Sequence, residues 1–328
     1  MRVLILGGNV YLSKATARRA IERGHDVTVA SRGTSGEPPE GARFTAVDRS
    51  TADGMSALRG QTFDAVIDVA RVPLHVKNAL DVLGGSVGHY GFVSTRSVYT
   101  DHDTVGATVA GSPVFEPTPD DGADFAMELY GPNKVACENL VRAALPAAHA
   151  IYRAGLVIGP GDPGDRFGYW PWRIAQGGEV LAPGDPAAPL QWIDVEDLAD
   201  WAVDAAEKRT TGTFDGVQPA VSWREFLDGV AEGAGTRPTF TWVPPEHITA
   251  AGVGPWSGPD SLPLWVGGDG YGGFMNRDVS ASLAAGMPAR PVADTTRRWL
   301  AWNDGSPAVK AGITREKEAE ILAAFHAR

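Results

Sequence analysis

The chain begins MRVLILGGNVYLSKATARRAIERGHDVTVASRG (residues 1–33), and this stretch predicts the fold. The apolar run at 3–6 predicts a buried strand, because Val, Leu and Ile follow one another without a polar residue. Two glycines come next, and the segment 14–24 then has the pattern of a helix. A second β-branched run, DVTVAS at 26–31, closes the unit. Strand, glycine turn, helix and strand in this order predict a βαβ unit with two parallel strands.

Strand-like and helix-like runs continue to alternate along the first half of the chain. The strand-like runs are RFTAVD, FDAVIDVA, HYGFVS and AIYRAGLVIG, and further helix-like stretches lie at 73–84 and 132–145. FDAVIDVA and YGFVS are almost entirely apolar, as is typical of strands buried on both faces of a sheet. We therefore predict an α/β fold of the Rossmann type, a doubly wound parallel sheet with helices on both faces.

The second half of the chain has a different composition. All ten tryptophans lie beyond residue 169, and eleven of the twenty-two residues from Gly252 to Gly273 are Gly or Pro. Such a segment cannot be a long helix. The segment is either a surface loop that Trp256 and Trp265 anchor or a lid that covers a substrate-binding site. The tail TREKEAEILAAFHAR predicts a helix with Thr314 as its N-cap.

Charge, cysteine content and hydropathy exclude several classes of protein. The net charge of −11 argues against a large nucleic-acid surface, which requires clustered Lys and Arg. The apolar runs are too short to span a membrane, and the chain starts on a strand instead of a secretory signal. The single cysteine, Cys137, cannot form an internal disulfide. We expect a cytoplasmic protein with a small-molecule partner and without a nucleic-acid or membrane partner.

The glycine loop between the first strand and helix predicts an anion site. The N–H groups of the first helical turn have no intrahelical partner and favour phosphate. Dinucleotide-binding loops carry three spaced glycines, whereas here Gly7 holds the first position and Val10 and Ser13 hold the others. Val10 brings a side chain to the point where the backbone approaches the pyrophosphate, and Ser13 is small enough to keep helix and strand close. We predict a modified but working dinucleotide site.

The end of the second strand indicates which dinucleotide binds. An NAD site usually places Asp or Glu here, and an NADP site an Arg near the 2′-phosphate. This chain has Ser31 and Arg32, so we favour NADP and keep NAD as the second choice. The alternative is that Arg32 is only a solvated surface cation.

Two further stretches carry candidate catalytic residues. Tyr130 and Lys134 in YGPNKVACE are four residues apart, which places both on one face of a helix beginning near Pro132. A nearby ammonium favours the phenolate of a tyrosine, as proton transfer coupled to hydride transfer requires. The run FVSTRSVY ends a predicted strand in hydroxyl residues, at the edge where α/β sheets bind ligands. These hydroxyls either hold a substrate oxygen or only close the strand by bonding local backbone.

Taken together, these motifs resemble the extended short-chain dehydrogenase/reductase family, also called the NAD-dependent epimerase/dehydratase family, over nearly the whole chain. ILGGNVYLS resembles its glycine loop, VSTRSVY its strand-end motif and YGPNKVACE its YGxxKxxxE segment. YRAGLVIGPGDP, QWIDVEDLADW and AVDRS resemble three further family segments. The resemblance implies Thr95 as the catalytic hydroxyl, Tyr130 as the acid/base, and Lys134 as its modulator and a ribose ligand.

The resemblance also implies the cofactor contacts. Residues 154–156 would flank the nicotinamide, with Ala154 in place of the family's usual proline, and Asp48 would lie near the adenine. The full set of expected cofactor-binding residues is Gly7, Asn9, Val10, Tyr11, Leu12, Ser31, Arg32, Asp48, Ala70, Tyr130, Lys134, Ala154, Gly155 and Leu156. The seven histidines are scattered without zinc-type spacing, so we expect no metal.

The sequence thus predicts an NAD(P)-dependent oxidoreductase that transfers hydride to or from a small-molecule carbonyl, alcohol or imine. Residues 1–158 would form the dinucleotide-binding domain, and 159–328 mainly a smaller substrate-binding domain with some segments returning to the sheet.

The sequence leaves two alternative functions open. One is an epimerase, which oxidises its substrate only transiently. A non-catalytic dinucleotide-binding regulator or RNA-associated protein is another. Dehydration is less favoured because Arg96 and Ser97 stand where such enzymes have acidic residues. The family resemblance also makes a homodimer possible.

Two other stretches have competing interpretations. GGSVG at 84–88 matches the G-x-S-x-G nucleophile motif, but it follows a helix and precedes a strand, the reverse of the order that motif needs. The aromatic run RFGYWPWR at 166–173 either lines a substrate pocket, which its position after the nicotinamide-flanking strand slightly favours, or packs in the core.

Overall fold

The β-branched runs of the first half form one parallel sheet in the computed structural model, which describes residues 1–123, 125–267, 270–304 and 310–327. The strands are β1 Arg2–Leu6, β2 Asp26–Ser31, β3 Arg43–Ala46, β4 Ala65–Asp68, β5 Tyr90–Thr95, β6 His149–Ala154, β7 Val157–Ile158, β8 Glu179–Pro183, β9 Pro189–Leu190, β10 Ile193–Asp194, β11 Gly212–Gly216, β12 Val221–Ser222, β13 Thr239–Val243, β14 Gly254–Trp256 and β15 Ser261–Pro263.

The helices alternate with these strands in the first half and dominate the second. They are α1 Tyr11–Glu22, α2 Pro73–Leu83, α3 Tyr130–Ala144, α4 Tyr169–Ala175, α5 Val195–Lys208, α6 Trp223–Ala234, α7 Pro245–Ala250, α8 Ser280–Ala284, α9 Val292–Asn303 and α10 Arg315–His326. Within the described part of the chain, none of these helices is both long enough and apolar enough to cross a membrane.

Seven strands form the main sheet in the order β11-β6-β5-β4-β1-β2-β3, and every neighbouring pair is parallel. The chain builds outward from β1 to β3 on one side and from β4 to β11 on the other. The direction of winding therefore reverses between β1 and β4, and a crevice opens at the carboxyl ends of these two strands. The predicted doubly wound parallel sheet is confirmed.

Alternate residues of β1 face opposite sides of the sheet and explain why both sides carry helices. Val3 and Ile5 pack in the cluster that includes α1 and α5, whereas Leu4 and Leu6 pack in the cluster that includes α2 and α3. A strand buried on both faces needs apolar residues at every position, which is the continuous run seen in the sequence.

A second core lies in the C-terminal half and is rich in tryptophan. It contains the parallel pair β8–β13, the helices α4 and α6, and the ends of α9 and α10. Tyr169 and Trp170 of the aromatic run 166–173 are fully buried here. The expectation that this run lines a pocket is therefore wrong for these two rings, because α4 turns them into the core. Only Arg166 of the run lines the cleft described below.

Several local predictions agree with the structure. Thr314 caps α10, since its Oγ1 accepts a hydrogen bond of 3.2 Å from the Lys317 N–H. The helix of the Tyr-Lys pair begins at Tyr130, so Pro132 lies in its first turn, where no intrahelical bond is lost.

Two loop regions have short regular structure. The described part of the Gly/Pro-rich segment forms the short parallel pair β14–β15. Residues 84–86 form a 3-10 turn before β5, so the nucleophile motif is absent there.

Candidate active site

The loop after β1 requires glycine at two successive positions. Gly7 has φ +118° and Gly8 has φ +87°, a region that side-chain-bearing residues rarely adopt. A Cβ on Gly7 would lie 3.1 Å from Val69, and one on Gly8 would lie 2.6 Å from the Cγ1 of Val29. The Gly7 N–H donates to the Ala30 carbonyl at 2.9 Å, which fixes the loop to the end of β2. Glycine at both positions therefore lets the loop pack against Val69 and Val29, and Gly7 lines the cleft described below.

Val10 and Ser13 behave differently at the two positions where the loop departs from the three-glycine pattern. Val10 is the N-cap of α1, is 41% exposed, and lines the cleft. Ser13 is buried, and its Oγ donates to the Val10 carbonyl at 2.8 Å. The Ser13 hydroxyl is thus bonded within the loop, whereas the exposed Val10 side chain projects at the helix N-terminus.

Asn9 and Tyr11 hold the loop from opposite sides. The Nδ2 of Asn9 donates to the Gly36 carbonyl at 2.7 Å, and its Oδ1 accepts from the Ser31 Oγ at 3.3 Å. Tyr11 packs against Val195 of α5. Its φ of +44° is strained for a residue with a side chain, and such strain is frequently found at ligand sites.

The crevice continues from this loop in two directions as a single cleft. One half has a volume of about 410 Å³ and the other about 580 Å³. The two halves share Val10, Ser13, Val69 and Arg71 in their walls, so a long ligand can pass from one to the other across the glycine loop. This shape suits a dinucleotide whose pyrophosphate lies at the helix N-terminus.

The smaller half of the cleft lies at the ends of β2 and β4 and contains several polar and charged side chains. Its wall includes Ser31, Arg32, Asp48 and Ala70. Arg32 is exposed, so its guanidinium is available to a ligand. Hydrogen bonds from the Ser50 hydroxyl and N–H lower the pKa of the Asp48 carboxyl below its ordinary value. The carboxylate is therefore charged at neutral pH and accepts hydrogen bonds.

Lys134 lies at the junction of three elements on the floor of the larger half. Its side chain comes from α3, and its Nζ donates to the carbonyl oxygens of Ala70 at 2.7 Å and Val93 at 2.5 Å. It also lies 4.5 Å from the centre of the Phe92 ring. Only 2% of the residue is exposed. Two of its three ammonium protons are used by the two carbonyls, which leaves the third for a ligand in the cleft.

Tyr130 lies one turn before Lys134 and lines the same half of the cleft. Its ring packs edge-on against Phe125, with the ring centres 6.2 Å apart. Helical spacing places the phenol and the ammonium on one face of α3, as the sequence predicts.

Thr95 ends β5 and also lines the larger half of the cleft. Its Oγ1 accepts a hydrogen bond of 3.1 Å from the Ser97 N–H and lies 3.2 Å from the Ser97 Oγ. The local capping interaction considered from the sequence is therefore present. It fixes the hydroxyl at the cleft wall.

Residues 154–156 line the same half of the cleft at the end of β6, where Ala154 is the register partner of Thr95 on the neighbouring strand. Gly155 lies against Val217 and Arg96, and a Cβ at this position would come within 2.3 Å of the Val217 Cγ1. Its N–H donates to the Gly216 carbonyl at 3.2 Å. The absence of a side chain at Gly155 therefore makes room for Val217 and Arg96 beside this wall.

A buried ion cluster supports the two strands that carry these walls. Glu138 of α3 accepts hydrogen bonds from Arg153 of β6 at 3.0 and 2.7 Å, from Arg142 at 2.8 Å and from Ser94 of β5 at 2.6 Å. Burial raises the pKa of the Glu138 carboxyl, but Arg153, Ser94 and Arg142 together hold it below its ordinary value. The cluster fixes α3 against the end of β5, where Thr95 lies.

The structure places all the residues expected at the site along the walls of this one cleft. It also brings in residues that were not among the expected site residues: Arg71, Arg96, Asp162, Arg166, Trp256, Phe274 and Met275. The sequence had placed Arg166 in an aromatic run considered as a pocket wall and Trp256 in the Gly/Pro-rich segment, and Arg96 and Asp162 lie within two of the family-like stretches. Arg71, Phe274 and Met275 belong to no motif, so no signal in the sequence identified them. Among the described residues, no group of three or more His, Cys, Asp or Glu side chains could hold a metal ion.

Known proteins match this chain in sequence and fold. The family model for the NAD dependent epimerase/dehydratase family matches residues 3–215. A 2'-dehydrokanamycin reductase of Streptomyces kanamyceticus is 28% identical over 250 residues, which cover 72% of this chain and 67% of that protein.

Solved structures share the fold at lower sequence identity. A putative epimerase from Burkholderia cenocepacia J2315 superposes with a TM-score of 0.67 at 19% identity, covering 94% of this chain and 98% of that one. The UDP-Glc/GlcNAc 4-epimerase of Campylobacter jejuni has a TM-score of 0.65 at 16% identity, with 92% and 99% covered. A UDP-glucuronic acid 4-epimerase from Bacillus cereus in complex with NAD has a TM-score of 0.62 at 14% identity, with 94% and 100% covered. At such identities the likeness shows the fold alone.

The family match spans the glycine loop, the strand ends and the Tyr-Lys helix that build the cleft. The chain therefore belongs to the NAD-dependent epimerase/dehydratase family of extended short-chain dehydrogenases/reductases, and it is an enzyme of the NAD(P)-dependent oxidoreductase and epimerase class.

Proposed function

We propose that this protein is an NADP-preferring reductase that transfers hydride to the carbonyl or imine carbon of a small molecule. The observation that carries the proposal is the placement of Lys134. It binds the strand-end carbonyls of Ala70 and Val93 and lies in the same half of the cleft as Tyr130 and Thr95. We further propose that 159–328 mainly build the domain that binds the substrate.

The cleft fits a nicotinamide dinucleotide by its backbone as well as its walls. A side chain at Gly8 would collide with Val29 and one at Gly7 would crowd Val69, so the turn beside the first turn of α1 requires glycine. That turn would hold the pyrophosphate. Asp48 would lie near the adenosine, Lys134 near a ribose and Gly155 against the nicotinamide. Bound there, the nicotinamide supplies the hydride.

Arg32 supports a preference for NADP. It is the first residue after β2, it is exposed, and it lines the smaller half of the cleft beside Ser31. A 2′-phosphate there would meet the guanidinium and the Ser31 hydroxyl. Strand β2 ends in Ser31, so it offers no carboxylate for the two free ribose hydroxyls of NAD.

The three candidate catalytic residues have distinct roles in this proposal. Thr95 holds the substrate oxygen with a hydroxyl already fixed by Ser97. Tyr130 donates its phenolic proton to that oxygen as the carbon is reduced. The ammonium of Lys134, which the carbonyls of Ala70 and Val93 hold in the same half of the cleft, would offset the negative charge left on the Tyr130 oxygen.

Net reduction is favoured over epimerisation by the curated relative, which is named a reductase and resembles this chain over 72% of its length. The same residues would also serve an epimerase, where oxidation of the substrate is transient. The two activities differ in stoichiometry, because a reductase consumes one NADPH per product and an epimerase consumes none.

The first experiment is a titration of the purified protein with NADPH and NADH, followed by fluorescence energy transfer from tryptophan. Trp256 lines the cleft and is a suitable donor. We expect saturable binding of NADPH that is tighter than that of NADH. A screen of carbonyl compounds, with NADPH oxidation as the readout, then tests turnover.

Two results would contradict the proposal. Failure of both dinucleotides to bind would mean that Val10 blocks the loop and that the protein acts without a dinucleotide. Interconversion of two epimers with no net change in NADPH would assign the epimerase activity instead.

A further inference from the structure

Arg96 is a buried cation in the wall of the larger half of the cleft, directly after Thr95. Only 3% of the residue is exposed. Its Nη1 donates one long hydrogen bond of 3.4 Å to the Gln191 side chain, while its Nε and Nη2 are buried without a hydrogen-bond partner. Burying a guanidinium with unmet donors is costly, so a ligand that meets them would be bound strongly.

The neighbouring acid is already committed to other groups. Asp215 binds Arg277 through Oδ2 at 2.7 Å and accepts from the Tyr99 hydroxyl through Oδ1 at 2.8 Å. In the described part of the chain, no carboxylate lies within ion-pair distance of Arg96. Burial lowers the pKa of Arg96 to about 10. The charge of Arg277 lowers this pKa further, whereas the charge of Asp215 raises it. The side chain is therefore still charged at neutral pH.

The other cations of this half of the cleft have different surroundings. Lys134 is held by two carbonyl oxygens and belongs to the proposed catalytic set. Arg166 lies 3.7 Å from the Asp162 carboxylate. Arg71 is exposed and packs over the Phe125 ring. Within the described part of the chain, Arg96 is therefore a buried cation of this region that lacks both a carboxylate partner and hydrogen bonds to two of its three nitrogens.

The surroundings of Arg96 exclude water from a bound ion. Its guanidinium lies over the Phe274 ring, 4.9 Å from the ring centre, and against the backbone of Gly155. Trp256 packs edge-on against Phe274, with the ring centres 5.9 Å apart. A charge pair formed under these rings is screened little by solvent, so it is stronger than a pair at the surface.

We propose that Arg96 binds an anionic group, a carboxylate or a phosphoryl group, that the substrate carries next to its reacting carbon. This inference rests on the proposed function, because Thr95 places the reacting oxygen beside Arg96. The fork of a guanidinium binds either anion through two parallel hydrogen bonds, which the paired Nε and Nη2 can supply. Both nitrogens are buried in the ligand-free protein, so the Phe274 ring that covers the guanidinium would move aside as the anion binds. The bound anion would fix the orientation of the reacting carbon.

The test uses the full chain saturated with NADP⁺, so that the pyrophosphate site is filled. Malonate and inorganic phosphate are titrated separately at constant ionic strength, with tryptophan fluorescence as the readout. We expect Arg96→Gln to weaken binding by about tenfold or more, the scale of a lost charge-assisted hydrogen bond. Arg96→Lys keeps the charge and should lose less. The matched control is Arg59→Gln, an exposed arginine outside the cleft.

Thermal unfolding of the same variants separates a binding role from a structural one. If Arg96 serves a ligand, Arg96→Gln removes an unmatched buried charge, and the ligand-free protein should have a raised or unchanged Tm. A structural role would lower it. Stronger binding of malonate than of phosphate identifies a carboxylate substrate, and the reverse identifies a phosphoryl substrate.

The inference would be overturned by equal anion affinity in wild type and Arg96→Gln, or by no binding of either anion at tens of millimolar. A lowered Tm with unchanged anion binding would also overturn it. Failure of the proposed function is read separately from NADPH binding. If NADPH does not bind, the same anion titrations on the dinucleotide-free chain still compare wild type with Arg96→Gln.

Discussion

The Nζ of Lys134 donates a 2.7 Å hydrogen bond to the carbonyl oxygen of Ala70, two residues beyond the end of β4. This bond joins α3 to the segment after β4, the strand that lies next to β1 where the winding of the sheet reverses. A second bond to Val93 joins the same ammonium to β5. The side chain is therefore a fixed part of the cleft floor, and its charge is placed before any ligand enters.

Tyr130→Phe removes the phenolic proton and keeps the ring packed against Phe125. We expect turnover to fall by roughly 10²–10⁴-fold, the usual contribution of a general acid. The dissociation constant of NADPH should change little. The measurement is kcat for carbonyl reduction together with the fluorescence titration. The control is Tyr271→Phe, an exposed tyrosine outside this half of the cleft. Full turnover by Tyr130→Phe would mean that another group donates the proton.

Arg32→Ala should lower the affinity for NADPH and leave that for NADH nearly unchanged. The guanidinium is exposed at the end of β2, so its loss removes a phosphate ligand without disturbing the core. A charge-assisted hydrogen bond is worth about 1.5–3 kcal/mol, which corresponds to at least a tenfold change in the ratio of the two dissociation constants. Arg59→Ala is the matched control. An unchanged ratio would refute the role of Arg32 in cofactor choice.

Gly8→Ala should destabilise the protein more than Gly24→Ala does. Both glycines have positive φ, +87° and +78°, so both variants carry backbone strain of roughly 1–2 kcal/mol. The added Cβ meets Val29 at 2.6 Å in the first case and nothing within 4 Å in the second. The excess loss of unfolding free energy in Gly8→Ala therefore measures the collision alone. Denaturant unfolding of the two variants checks this, and equal losses would show that the loop has room for a side chain.

Glu138→Gln should cost about 3–5 kcal/mol of unfolding free energy, because it leaves Arg153 buried without its counter-charge. The pKa of the folded-state carboxyl lies below its ordinary value of 4.5. The stabilisation by the ionised group is therefore complete above about pH 4.5, and it is lost as the pH falls through the lowered folded-state pKa.

The difference between wild type and Glu138→Gln should accordingly be largest near neutral pH and shrink in acid. Urea unfolding at several pH values measures it. Glu22→Gln is the control, because Glu22 pairs with Arg19 at the surface and its side chain is 49% exposed. That variant should lose about 1 kcal/mol or less. A difference for Glu138→Gln that is independent of pH would show that the carboxyl is not ionised in the fold.

The sequence was most informative where one short segment carries both the structure and the chemistry. Gly7, Thr95 and Tyr130 each belong to a motif in which a strand end or a helix start is visible in the residues themselves. The aromatic run at 166–173 was misread because rings favour a pocket and a core equally. Whether these rings lie in a pocket or in the core depends on which face of α4 points inward. Contacts of α4 with α6 and α9 fix that face.

The sequence by itself determined the parallel sheet, the glycine loop at its switch point and the Tyr-Lys spacing. These features are local, since strand runs, turns and helical periodicity act over a few residues. Only the tertiary structure decided which side chains line the larger half of the cleft. Arg96, Trp256 and Phe274 come from segments far apart in the chain, and the folded packing brings them together. The unmatched charge of Arg96 depends on Asp215 being bound to Arg277, a relationship that exists only after folding.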